Sequence, residues 1–372
     1  MTGDRPAGAG PTSEGFTIAD LGGWPGVLGR LAGGEDLTSV EAAIALGDVL
    51  EGNATSAQVA AFVFGLRCKG ETVEEMTGLV SAMLAASERV VVPPDLAGRL
   101  VDTCGTGGDR SGTINISTIA ALVVAGAGVP VCKHGGRAAS SKAGSADLLE
   151  ALGVVIDLGP EGVTRCIREA GIGFCFAPRF HPAMRHAAPV RRELGVPTAF
   201  NFLGPLANPA RVRRQVVGVG DPAMAQKMAR VLAAGGAFEV VVVHGADGLD
   251  ELSTTGPSTM YRWRAAEGLD PVSEIRPEVI NPVALGLAPA NLEDLLGDDA
   301  ATNAALARRV LAGEVGPHRD IVLLNAAAGL LVAGIAGDLE QGLLQARASI
   351  DSGAAADRLD RLVEVSSKLP VK

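Results

Sequence analysis

Aromatic side chains are scarce in this 372-residue chain: one Tyr, two Trp and nine Phe, 3% of the total. The apolar content is mostly Ala, Val and Leu, which suits a core of helices and buried parallel strands. Cysteines are few, and Cys68, Cys104, Cys132, Cys166 and Cys175 form an odd set without CxxC spacing. They read as free thiols in a reduced cytoplasm. There is no apolar run long enough to span a bilayer, so no membrane partner is expected. Met1–Gly15 lacks the apolar centre of a signal peptide and is rich in Gly, Pro and Thr. A disordered tail over residues 1–22 is the expectation. Positive charge is also in deficit: 32 Lys and Arg face 42 Asp and Glu, a net charge of −10. That balance opposes general binding to nucleic acid or anionic lipid, so any bound anion needs a local cluster of donors.

What remains is a globular composition, 47% apolar and 20% charged, long enough for two domains or one large and one small. Residues 23–94 read as all-helical. Thr38 with Glu41, Thr55 with Gln58, and Thr72 with Glu75 repeat one helix-start signature. Val59, Phe62, Val63 and Leu66 then make an apolar stripe for core packing or a subunit interface. Val90-Val91-Val92-Pro93-Pro94 is the linker candidate.

Over residues 95–372 the rhythm changes. β-branched runs at Val129–Cys132, Val154–Asp157, Ile172–Phe176, Val216–Val219 and Val240–Val243 predict strands. They alternate with helical stretches at Ile119–Ala127, Ala146–Leu152, Pro160–Ala170, Ala183–Leu194 and Pro222–Ala234. The fold class is therefore α/β: a small N-terminal all-helical domain plus a large α/β domain. The large domain has a mainly parallel central sheet flanked by helices. A helical tail runs from about Ala300 to Val365. Ligands of such sheets bind beyond the carboxyl ends of the strands, and the glycine-rich loops fall there.

The first loop is Cys104-Gly105-Thr106-Gly107-Gly108-Asp109, leading to a helix start at Asn115-Ile116-Ser117-Thr118. Glycines let backbone N–H groups converge on an anion, and a helix start adds unpaired N–H groups. Thr113, Ser117 and Thr118 supply hydroxyls. The order is neither a Walker loop nor GxGxxG, and a tight turn with an ordinary N-cap is the alternative. The second loop, Lys133-His134-Gly135-Gly136-Arg137-Ala138-Ala139-Ser140-Ser141-Lys142 with Ser145, reads as another anion site or as a solvated basic loop. Arg191, in Arg191-Arg192-Glu193, could grip a carboxylate or simply face solvent. Asn201-Phe202-Leu203-Gly204-Pro205-Leu206 reads as a constrained turn. Asp247-Gly248-Leu249-Asp250-Glu251 offers adjacent carboxylates for Mg²⁺, or is a polar loop.

Taken in order, CGTGGD, NIST, KHGGRAASS, GSADLLEALG, HPAM, RRELG, NFLGPLANP and HGADGLDE resemble the anthranilate phosphoribosyltransferases of tryptophan biosynthesis. The likeness runs from about Leu37 to Asn325-Ala326-Ala327-Ala328. It implies a cytoplasmic homodimer formed through the helical domain, and a Mg²⁺-dependent pentosyltransferase with two ions per subunit. Its substrates would be phosphoribosyl pyrophosphate (PRPP) and anthranilate. By resemblance, PRPP would be held by Gly105, Gly108, Asp109, Thr113, Asn115, Ile116, Ser117 and Thr118. Lys133, His134, Gly135, Gly136, Arg137, Ala138, Ala139, Ser140, Ser141 and Ser145 would complete that set. Ser117, Asp250 and Glu251 would ligate the metal. Gly105, Gly136, Ala177, His181, Arg191 and Gly204 would meet anthranilate.

This chain departs from the family at Gly136, where an asparagine usually contacts the acceptor. Glycine removes an amide hydrogen bond and widens the acceptor pocket, while its N–H can still serve phosphate. Arg110 and Ala139 are smaller departures inside the loops. The resemblance leaves three alternatives: a paralogue using another aromatic amine, a pyrimidine nucleoside phosphorylase, and a non-catalytic nucleic-acid-binding relative.

Overall fold

The computed structural model describes residues 15–138, 142–270 and 274–370. Met1 to Glu14 of the expected tail, and Ala139, Ser140 and Ser141 of the second loop, lie outside the described residues. A short 3₁₀ turn, Ile18–Leu21, precedes helices Gly23–Ala32, Ser39–Leu50, Ser56–Lys69 and Val73–Ala85. All three expected helix starts are reciprocal capping boxes. Glu41 Oε2, for example, accepts from Thr38 N–H at 2.8 Å while Thr38 Oγ1 accepts from Glu41 N–H at 3.3 Å. Each such cap contributes about 1 kcal/mol. Val59, Phe62, Val63 and Leu66 are buried, with Trp24 edge-on to Phe62 at 5.6 Å between ring centroids.

This helical layer also recruits later chain. Val190, Phe200, Phe202 and Leu203 join its core. The Val90–Pro94 linker is tied instead to the core of the α/β domain, which holds Val90 and Phe180: Glu88 N–H donates to Phe180 C=O at 2.9 Å and Val90 N–H to Pro209 C=O at 3.2 Å.

Seven strands form one sheet: β1 (Val101–Gly105), β2 (Val131–Gly135), β3 (Ile172–Phe176), β4 (Arg214–Gly218), β5 (Glu239–Gly245), β6 (Ser258–Arg264) and β7 (Pro277–Ile280). Their order is β3-β2-β1-β4-β5-β6-β7, with β1 to β5 parallel and β6 and β7 antiparallel. The chain moves outward from β1 to β3, then returns to lay β4 on the other side of β1. The loops leaving β1 and β4 stay in contact, Thr106 N–H donating to Gly218 C=O at 2.9 Å and Gly220 N–H to Thr106 Oγ1 at 3.2 Å, and the crevice lies at the carboxyl ends of β1 and β2.

Three elements differ from the sequence expectation. Val154–Asp157 is irregular chain rather than a strand. Val154 N–H bonds Leu149 C=O and Val155 N–H bonds Ser366 Oγ at 3.1 Å, so helix ends take its donors. Its apolar alternation reflects burial of Val154 and Ile156 without sheet pairing. Ala183–Leu194 splits into a 3₁₀ turn, Pro182–His186, and a helix, Ala188–Leu194. Proline near the start of each sets that break. Phe200–Leu206 is a helix containing Pro205, not a turn.

The tail forms helices Ala300–Leu311, Pro317–Ala333, Leu339–Asp351 and Ala354–Ser367. Helix Ile116–Gly126 is buried along nearly all its length and packs against Pro317–Ala333 and Ala354–Ser367. A Cβ on Gly126 would lie 2.7 Å from the backbone nitrogen of Ala355, so glycine permits the crossing with Ala354–Ser367. The buried helix fixes the loop that precedes it.

Candidate active site

At the carboxyl ends of β1 and β2, both glycine-rich loops and the carboxylate pair line one cavity of about 260 Å³. Its walls run over 104–109, 111–118, 133–138, 143–145 and 250–251. Every described residue expected to hold PRPP or metal thus borders a single space.

The loop after β5 brings Asp250 and Glu251 back to the first loop. Gly107 N–H donates to Asp250 Oδ2 at 2.7 Å, and Ser117 N–H donates to Glu251 Oε1 at 3.1 Å. Side-chain space is absent at two contacts. A Cβ on Gly105 would lie 2.3 Å from Asp250 Oδ2, and one on Gly218 would lie 1.5 Å from Asp250 C=O. Gly218, at the end of β4, was not singled out in the sequence. Its signal was a glycine pair, Gly218 and Gly220, at the end of a predicted strand.

Beneath the pair, Lys133 is buried, donating to Thr103 C=O and, at 3.3 Å, to Ser117 Oγ. Asp102 lies below it, buried and accepting from His134 N–H at 3.1 Å and Asn208 Nδ2 at 2.8 Å. Burial raises the Asp102 carboxyl above its usual range, against the pull of Lys133. Burial and the nearby Asp109 charge push Asp250 up to about 6. Burial and Asp250 push Glu251 well up, with Lys133 opposing. Negative charge is therefore crowded at the floor of the cavity, and a cation bound there would relieve it.

Two of the second loop's three cations are taken up by carboxylates. Arg137 pairs with Asp147 at 2.8 Å and Glu150 at 2.5 Å, and Lys142 pairs with Asp298. Backbone N–H groups and Lys133 are left as the nearer anion donors. In the first loop Arg110 takes a left-handed backbone, φ 57°, which is uncommon for a side chain larger than glycine.

The residues expected at the acceptor end adjoin this cavity through His134 and Gly136. His134 Nδ1 lies 3.0 Å from Gly204 C=O, and its ring centroid lies 5.1 Å from that of His181. Burial pushes His134 down to about 3 and His181 to about 4, so both imidazoles are neutral near pH 7. Among the described residues, a Cβ on Gly136 would have only Ala177 Cβ within 4 Å, at 3.9 Å. Arg191 lies 5.7 Å from the Phe200 ring centroid, and burial lowers its pKa.

Comparison with known proteins identifies the family. Residues 25–87 fit the model of the glycosyl transferase family helical bundle domain, and residues 97–356 fit that of the family's a/b domain. Anthranilate phosphoribosyltransferase of Salinispora arenicola is 55% identical over 92% of this chain and 96% of its own. The chain belongs to the anthranilate phosphoribosyltransferase family.

Another member, from Roseiflexus castenholzii, is 53% identical over 91% of this chain and 97% of its own. The crystal structure of anthranilate phosphoribosyltransferase from Thermus thermophilus superposes with TM-score 0.85 at 43% identity, covering 92% of this chain and 99% of that one. The Saccharomyces cerevisiae anthranilate phosphoribosyltransferase, solved in complex with PRPP and Mg, gives 0.82 at 28% identity, covering 93% and 98%. As in the Thermus thermophilus member of the family, a helical layer and an α/β layer make up this fold.

Proposed function

We propose that this chain transfers the 5-phosphoribosyl group of PRPP to the amine of anthranilate, giving N-(5-phosphoribosyl)anthranilate and pyrophosphate. The observation that carries the reading is one cavity joining two glycine-rich loops to Asp250 and Glu251. The chain's own N–H groups around Gly105–Asp109 and the start of helix Ile116–Gly126 hold the phosphate-bearing end. In the reaction the C1–O bond to pyrophosphate breaks and a C1–N bond forms. The bond-breaking state carries positive character on the ribose and negative charge on the leaving group. A neutral aniline nitrogen attacks with its own lone pair and releases its proton after the bond forms. His134 and His181, both neutral, add no positive charge of their own at the acceptor end. Arg191 takes the acceptor carboxylate.

Ser117, Asp250 and Glu251 would hold Mg²⁺. Two carboxylates and a hydroxyl suit a hard cation that completes its shell with substrate oxygens and water. When bound, the ion supplies charge neutralisation of the leaving pyrophosphate. The reading takes two ions per subunit, a cytoplasmic setting and a homodimer through the helical layer, where Phe64 is 48% exposed. No described helix is long and apolar enough to cross a membrane.

The test is loss of anthranilate fluorescence on adding PRPP and Mg²⁺ together. Turnover that needs both supports the reading. Inertness toward anthranilate with turnover of another aromatic amine would move the acceptor assignment at Gly136.

A further inference from the structure

Asn303, in helix Ala300–Leu311, was not marked by the sequence, yet it is 2% exposed and touches the PRPP loop. Its Nδ2 donates to Asn115 Oδ1 at 3.1 Å. Asn115 Nδ2 in turn donates to Ala143 C=O, in the second loop, at 2.9 Å. The chain around Asn303 is zipped to the same place. Gly297 N–H donates to Gly112 C=O at 2.8 Å, and Ile114 N–H donates to Leu295 C=O at 3.0 Å.

Amide side chains can flip, but this pair is anchored. Asn303 Oδ1 accepts from the backbone N–H of Asp298 at 2.8 Å, and a backbone N–H can only donate. That contact fixes the Asn303 oxygen, which leaves its nitrogen facing Asn115. Asn115 must then present its oxygen to Asn303 and its nitrogen to Ala143. An Asn nitrogen carries two hydrogens, and only one is used by Ala143. Asn115 lines the cavity, and among the described residues its Nδ2 donates to Ala143 C=O alone, which leaves a second N–H for a phosphate oxygen. A flipped Asn115 would aim a carbonyl oxygen at that anion. Space for the relay comes from Gly297, where a Cβ would lie 2.4 Å from Asn303 Oδ1.

We propose that Asn303 is a positioning residue for PRPP binding, which sets the donor face of Asn115 toward the phosphate through the Asp298–Asn303–Asn115–Ala143 relay. The inference rests on Asn115 contacting PRPP. Aspartate at 303 keeps the contact with Asp298 N–H but cannot donate to Asn115, and so favours the inverted amide.

The experiment measures kcat, both KM values and PRPP dissociation by calorimetry for Asn303→Asp, Asn115→Ala and the double variant. Asn303→Asp is expected to weaken PRPP binding about tenfold or more, with the anthranilate KM changing by about twofold or less. In the Asn115→Ala background it should add little, because the group it acts through is gone. Full multiplication of the two effects, or equal damage to kcat and both KM values, overturns the proposal and marks Asn303 as structural. Unchanged PRPP binding in Asn115→Ala alone overturns the contact on which the proposal rests. If Asn303→Asp does not fold, Asn303→Ala carries the same test with a smaller loss, expected in wild type and absent with Asn115→Ala.

Discussion

Asn325 satisfies both backbone groups of Leu252. Its Oδ1 accepts from Leu252 N–H at 2.9 Å, and its Nδ2 donates to Leu252 C=O at 2.8 Å and Ile321 C=O at 2.9 Å. Leu252 directly follows Glu251, so helix Pro317–Ala333 holds the carboxylate pair in place from a distant part of the chain. Asn325→Ala leaves two buried backbone groups unpaired at a cost of about 2–5 kcal/mol. A lowered urea midpoint together with a higher Mg²⁺ requirement is the expected outcome. A stability loss with unchanged Mg²⁺ requirement would show that Asn325 supports the fold without placing the carboxylates.

Stability should depend on pH through two opposed effects. His134 and His181 are held neutral, at about 3 and about 4 against an ordinary 6.5. On acidification from about pH 6.5 the unfolded chain binds protons that the folded histidines refuse, so stability falls. Asp250 acts the other way. Raised from 3.8 to about 6, it keeps a proton in the folded state that the unfolded chain releases, so its contribution falls as pH rises through that window. In the metal-free protein the two partly cancel. Asp250→Asn removes its share of the second effect, to which buried Glu251 and Asp102 also contribute, and its thermal midpoint should drop more steeply than wild type between pH 6.5 and 4. Parallel curves for the two proteins would refute the assignment.

On the acceptor side, Gly136→Asn adds a side chain that starts in open space beside Ala177. It should lower the anthranilate KM by about two- to tenfold, one hydrogen bond's worth, and leave the PRPP KM unchanged. Arg191→Ala should do the reverse to anthranilate, raising its KM about tenfold or more while sparing PRPP. Steady-state kinetics with each substrate varied in turn reads both. Equal effects of Arg191→Ala on the two substrates would exclude a carboxylate clamp.

Local signals carried much of this site into view. Thr38, Thr55 and Thr72 announce helix starts because a cap is made within four residues. Gly107 and Gly108 are legible for a local reason too, since both take the left-handed backbone, φ 63° and 82°, that favours glycine. Asn303 and Asn325 carry no such mark, because their partners lie far along the chain, and the Gly218 and Gly220 pair signals a close approach without naming Asp250 as its partner. Each asparagine is an ordinary residue until the sheet and tail helices bring Asn115 or Leu252 against it. Val154–Asp157 shows the converse limit: alternation reports which side chains are buried, not whether a partner strand exists. Arg137 shows another, since the sequence displays its charge but not Asp147 and Glu150, which take it up.

The central claim is that Asp250 and Glu251 form the metal half of the PRPP site. Calorimetric PRPP binding across a Mg²⁺ titration, in wild type and in Asp250→Asn/Glu251→Gln, tests it most directly. The account predicts affinity that rises with Mg²⁺ in wild type and a weak, Mg²⁺-independent affinity in the double variant. The same Mg²⁺ dependence in both proteins would contradict it.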